Sequence, residues 1–202
     1  MIRKFVPAAF TAAMLMSMLM STQIASAGVL TFTANLNGAT EDPAVVSAGT
    51  GHATVMFDDA SNMLSVDVSF SGLTGVTTVA HIHCCTATPN AGNAGVATEV
   101  PTFPGFPGGV TSGTYTETFD LTLPGSFNPG FITTSPGSTV DAARARLVGG
   151  LLAGTAYLNI HTRSSPGGEI RGFLHVPAPQ TLSFAALLLL ALPALRRRRT
   201  VA

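Results

Sequence analysis

Two segments far apart in the chain carry histidines at a spacing of two. One is Ala80-His81-Ile82-His83, and the other is Tyr157-Leu158-Asn159-Ile160-His161-Thr162. In an extended strand, residues two apart lie on the same face. His81 and His83 therefore share a side, Asn159 and His161 share a side, and beyond a Gly-rich turn Glu169 and Arg171 repeat the pattern. A His-x-His strand offers two imidazoles to one ion, and a third from a neighbouring strand completes the three-nitrogen set that zinc commonly takes and copper can use. The expected ligands are His81, His83 and His161. Asn159, Glu169 and Arg171 stand behind them: Glu169 could orient an imidazole, or Glu169 and Arg171 could form a structural pair with the helix or the Glu41-Asp42 loop. Cys84 and Cys85, directly after His83, could add sulfur, which would favour Cu(I) or zinc. A structural use of the same residues is also open, because a half-buried imidazole can donate to a backbone carbonyl and accept from Asn159, Thr162 or Arg171.

No other catalytic constellation stands out. There is no Gly-x-Ser-x-Gly elbow, no phosphate loop and no usable Ser-His-Asp order. Carboxylates pair only as Glu41-Asp42 and Asp58-Asp59, and neighbouring side chains diverge in an extended strand. A non-enzymatic role is expected.

Charge narrows the partners. All ten acidic residues lie between Glu41 and Glu169, whereas Arg3, Lys4 and Arg196 to Arg199 sit at the ends. The central part keeps only Arg144, Arg146, Arg163 and Arg171, a net charge of −6 with no lysine. A nucleic-acid partner is not expected, because phosphate binding rests on clustered Lys and Arg. The two cysteines are adjacent and not part of a spaced framework, so packing must supply most of the stability. Two thiols and a vicinal disulfide are both open for them.

The ends read as export signals. Arg3 and Lys4 precede an apolar stretch from Phe5 to Met20, and Ala25-Ser26-Ala27 supplies a small-residue cleavage site. This is the pattern of a secretory signal peptide over residues 1–27, cut by signal peptidase at Ala25 and Ala27. At the other end, Val176-Pro177-Ala178-Pro179 precedes the apolar run Leu182 to Leu195 and then Arg196, Arg197, Arg198 and Arg199. The arrangement resembles the PEP-CTERM sorting signal of Gram-negative bacteria, with Ala178 where that motif has glutamate. The resemblance implies recognition by an exosortase. Four arginines would hold the tail's end cytoplasmic by the positive-inside rule. The chain is then anchored in the inner membrane in transit and delivered to the periplasm, cell surface or extracellular matrix.

Between the ends the chain reads as short strands punctuated by Gly, Asn, Asp and Pro. Strands are expected at 29–36, 52–57, 64–70, 77–83, 114–123, 156–162 and 169–175. Ser164-Ser165-Pro166-Gly167-Gly168 should turn the last two into a hairpin. Asn90 to Gly109 reads as a long ordered loop pinned by Phe103 and Phe106, and Ser138 to Leu152 as a helix capped by Ser138 and stopped at Gly154. Phe127 to Phe131 could add one helical turn. Many short strands with one crossover helix predict a mainly β protein, an antiparallel β-sandwich or Greek-key barrel.

These residues together resemble the CHRD domain, first described in chordin, over 28–175. The resemblance rests on Leu36-Asn37-Gly38, Glu41-Asp42-Pro43, Gly51, Ser71-Gly72-Leu73, Ala80-His81-Ile82-His83, Ala156 to Thr162 and Gly168-Glu169-Ile170-Arg171-Gly172. It implies an immunoglobulin-like or superoxide-dismutase-like β fold, and chordin's extracellular binding role implies a domain that binds a protein, polysaccharide or matrix partner. The other expectation is a copper or zinc protein, redox-active in the copper case, and a dismutase-like fold would favour copper.

Overall fold

The computed structural model describes residues 28–177. The signal-peptide residues and the tail from 178 onward lie outside them, as do the sites named there. Among the described residues no helix is long and apolar enough to cross a membrane.

Seven strands form one antiparallel sheet: β1 (Val29–Asn37), β2 (Thr50–Asp58), β3 (Met63–Ser71), β4 (Thr77–His83), β5 (Gly113–Asp120), β6 (Tyr157–Thr162) and β7 (Ile170–Phe173). Their order is β4-β6-β7-β1-β2-β3-β5. The sheet curls into a half-barrel, the barrel form of the expected mainly β architecture. Alternation explains the inner face. Phe32, Ala34 and Leu36 of β1, Ala53, Val55 and Phe57 of β2, and Leu64, Val66, Val68 and Phe70 of β3 are all buried in a single apolar core. Fully burying one such large side chain contributes roughly 1.5–3 kcal/mol, so this face holds the sheet together.

The chain crosses from the β5 edge to β6 through two helices, α1 (Pro129–Thr133) and α2 (Val140–Leu152). Thr139, one residue beyond the expected Ser138, caps α2 by accepting a hydrogen bond from the Ala142 N–H at 3.2 Å. Ser138 cannot take that role because its own φ is +54°, whereas an N-cap residue needs extended backbone. Ala143, Leu147 and Leu151 form the buried stripe of α2, at the spacing expected of one helix face. Gly154 ends the helix with φ +66°. β5 stops at Asp120, short of the expected Leu123, because the Asp120 carboxylate accepts from the Thr122 N–H and hydroxyl and turns the chain. Cys84 and Cys85 form a disulfide. Both sulfurs lie against Gly150 of α2, where any Cβ would collide with them.

Three strands at one edge position the site. Ala80 and Ile82 of β4, Leu158 and Ile160 of β6, and Ile170 of β7 all belong to the core. Their alternate neighbours His81, His83, Tyr157, Asn159, His161 and Arg171 consequently face the other way. The loop from 90 to 109 runs along the free edge of β4, donating to the carbonyls of Thr77, Ala80 and Ile82, and Phe103 and Phe106 anchor it in the core.

Candidate metal centre

The β4–β6 pairing sets His83 opposite Tyr157, His81 opposite Asn159 and Val79 opposite His161. One step across, Asn159 pairs with Arg171 and Tyr157 with Phe173. This register gathers His81, His83 and His161 into a near-equilateral triangle. Their ring centroids are 5.8, 5.6 and 5.8 Å apart, and one ring nitrogen from each lies within 4.8 Å of the others.

Hydrogen bonding distinguishes the two nitrogens of each ring. His81 Nε2 lies 2.7 Å from the Pro101 carbonyl, His83 Nδ1 2.9 Å from that of Ala94, and His161 Nδ1 2.8 Å from that of Pro166. A carbonyl only accepts, so each of these ring nitrogens carries the proton, and in the neutral ring the opposite nitrogen keeps a bare lone pair. The bare atoms are His81 Nδ1, His83 Nε2 and His161 Nε2. All three are buried and have no hydrogen-bond partner. Each ring thus makes one structural hydrogen bond and leaves its other nitrogen unpartnered.

Burial also lowers the proton affinity of all three rings. The pKa of His83 falls to about 4 because of desolvation, and the neighbouring His161, His81 and Arg171 charges push it the same way. His81 and His161 are lowered for the same leading reason. At neutral pH the lone pairs are free of competing protons. A tetrahedral zinc with Zn–N of ~2.0–2.1 Å would set an edge of about 3.4 Å, which lies inside the 4.8 Å within which the three nitrogens gather.

Tyr157 is stacked flat on His83 at 4.9 Å, and the Arg171 guanidinium lies 4.6 Å from the other partner in that stack, the Tyr157 ring centroid. Arg171 is 2% exposed. It donates to the carbonyls of Thr40 and Gly92 and to Asn93 Oδ1, and its anionic neighbour is Glu41 at 3.7 Å. The pairing with the Glu41 loop matches one of the roles expected for Arg171. Burial raises the Glu41 pKa to about 7, against the lowering effects of Arg171 and Asn159.

Glu169 sits elsewhere. Gly168, at φ +132°, interrupts the extended chain just before it. The Glu169 carboxylate accepts from Ser47, Thr74, Gly75 and Thr162 and touches neither an imidazole nor Arg171. Cys84 and Cys85 are bonded to each other against α2 and do not join the histidine cluster. Sequence reading missed the orienting carbonyls of Ala94, Pro101 and Pro166, which have no side-chain signature. It also missed the stacking role of Tyr157 and the placement of Glu41 beside Asn159.

The chain matches the CHRD domain family over residues 32–174. No curated protein and no solved structure matches it.

Proposed function

The chain belongs to the CHRD family, and on that premise we propose that this domain binds one transition-metal ion, zinc or copper, through His81, His83 and His161. The observation that carries the reading is the triangle of three bare, buried imidazole nitrogens, each fixed by a backbone carbonyl on the far side of its ring. Leaving three buried acceptors unpaired costs roughly 1–3 kcal/mol each, and a shared cation relieves all three at once. An all-nitrogen set without carboxylate or thiolate suits Zn(II) or Cu(II), with Cu(II) the tighter by the Irving–Williams order.

We place the domain outside the cytoplasm, along the export and sorting route read from its two ends. The Cys84–Cys85 disulfide supports this setting, since such bonds persist in oxidising compartments. Binding of a protein, polysaccharide or matrix partner by the outer surface is a compatible role, carried by the family membership alone.

The test is metal content. The full chain, equilibrated with zinc or copper and then dialysed, should retain one ion per chain, and His81→Ala or His161→Ala should retain none while keeping the far-UV spectrum of a β protein. Unchanged retention in both variants would overturn the site.

A further inference from the structure

Six buried side-chain polar atoms among the described residues lack a hydrogen-bond partner. The Tyr115 hydroxyl is one of them and belongs to the core side. The other five stand together: the three imidazole nitrogens, Asn159 Oδ1 and Glu41 Oε1. Asn159 lies directly across from His81 in the β4–β6 ladder and two residues from His161 on the same face. Its Nδ2 points to Glu41 Oε2 at 3.5 Å, which leaves Oδ1 as the free end of the amide. Asn159 is 2% exposed and Glu41 8%. A fold that satisfies nearly all its buried polar groups has concentrated its exceptions in one place, and each exception needs a partner.

The metal accounts for three of the five. The remaining two are the Asn159 amide oxygen, which accepts hydrogen bonds, and a Glu41 carboxyl oxygen, which accepts them when the group is ionised. A metal with three protein nitrogens keeps a fourth position. A ligand that fills it and also satisfies two acceptors must offer a lone pair to the cation and O–H groups to the oxygens. Water fits this description with both its protons, and alcohols and hydroperoxides fit it with one.

Space adjoins the residues that hold the Asn159 amide. A pocket of about 210 Å³ opens between the Glu41 loop and the turn after His161, lined by Glu41, Asp42, Val45, Ser165 and Gly168 among others. At roughly 30 Å³ per water it holds several waters or one small molecule. Two of its walls are the residues that touch the Asn159 amide. Glu41 is bonded to it, and Gly168 leaves it room: a Cβ at position 168 would lie 2.5 Å from both Nδ2 and Oδ1.

We infer, on the basis of the metal reading above, that the centre is open, and that its fourth position takes an exchangeable protic oxygen ligand held by Asn159 Oδ1 and Glu41 Oε1 and renewed through this pocket. The domain would accordingly present a reactive position and would not be a closed structural site.

The full chain loaded with Cu(II) tests this. Pulsed electron paramagnetic resonance should show three coupled imidazole nitrogens and, after transfer to deuterium oxide, a strong deuterium signal from a coordinated exchangeable ligand. Azide, which brings no proton to the two acceptors, should displace that ligand weakly. Asn159→Leu removes one acceptor, and Gly168→Ala displaces the same amide from outside the site. Losing one hydrogen bond to the resident ligand should tighten azide binding by about tenfold in each. Three nitrogens without the deuterium signal would overturn the open centre and leave the metal reading standing. Azide affinity within twofold of the unvaried protein in both variants would overturn the role of Asn159. Absence of the three-nitrogen signal would overturn both readings, and the deuterium result on the unvaried protein decides the matter if neither variant folds.

Discussion

Glu169 and Glu41 are both less than a tenth exposed, yet the fold surrounds them differently. Glu169 receives the Thr74 and Gly75 N–H groups and the Ser47 and Thr162 hydroxyls. Burial pushes its pKa up, but these four donors more than offset that, and the net shift is downward. Glu41 has only Arg171 and Asn159 beside one oxygen, and its other oxygen has no partner. Its pKa rises to about 7, burial being the main cause. The Glu169 corner is complete within the chain and ties three loops together. The region around Glu41, Asn159 and the histidines leaves five buried polar atoms without a partner. Buried polarity serves structure at the first place and, in our proposal, a ligand at the second.

The largest expected effect tests the complete corner. Glu169→Ala leaves the Thr74 and Gly75 N–H groups and the Ser47 and Thr162 hydroxyls without their acceptor, and at roughly 1–3 kcal/mol per buried unsatisfied group the loss should reach about 3 kcal/mol or more in chemical denaturation without metal. A loss below about 1 kcal/mol would break the contrast. Next in size is the effect of metal. At a hundredfold excess over its dissociation constant, zinc should raise the unfolding free energy by about 2.7 kcal/mol. His161→Ala should abolish that gain while costing only about 1 kcal/mol without metal, since one hydrogen bond, to Pro166, is lost. If His161→Ala proves as damaging without metal as Glu169→Ala, the histidine cluster is structural like the corner.

The apolar half of this architecture was legible because strict alternation needs no tertiary information. Leu64, Val66, Val68 and Phe70 could face only one way together, and β4 runs from Thr77 to His83 as read. The three histidines were legible by the same rule, since period two fixes the face. What alternation cannot give is strand order. That β6 lies between β4 and β7 decides that His161 meets His81 and His83, and nothing in the spacing of residues 83 and 157 states it. Period two puts Glu169 on the Arg171 face, and the rule fails there because β7 begins only at Ile170 and Glu169 sits in a bend before it. Glu41 carried no periodic signal at all. Its place beside Asn159 depends on how the loop from Gly38 returns over the sheet, where Val45 donates to the Gly38 carbonyl.

Acid should separate the two halves of the open region in the metal-free protein. The histidines have folded-state pKa values below their ordinary 6.5, to about 4 for His83. Below 6.5 the unfolded chain binds more protons than the folded one, so their contribution is lost as pH falls through the folded values, which reach about 4 for His83. Glu41 has the opposite sign. Its folded pKa of about 7 exceeds the ordinary 4.5, so the folded state binds the extra proton, and its contribution is present below pH 4.5 and fades as pH rises through 7. Three groups against one should give a net rise in stability from pH 4 to about 7, which the opposing Glu41 contribution makes shallower between pH 4.5 and 7. Glu41→Gln is the smallest change proposed. At pH 6 the native side chain is largely the neutral acid, which glutamine mimics in shape and charge, so stability should shift by about 1 kcal/mol or less. The rise between pH 4.5 and 7 should steepen in this variant, because the opposing Glu41 contribution is gone. A slope unchanged by Glu41→Gln would mean that Glu41 is ionised and satisfied throughout, as Glu169 is, and the contrast between the two carboxylates would fail.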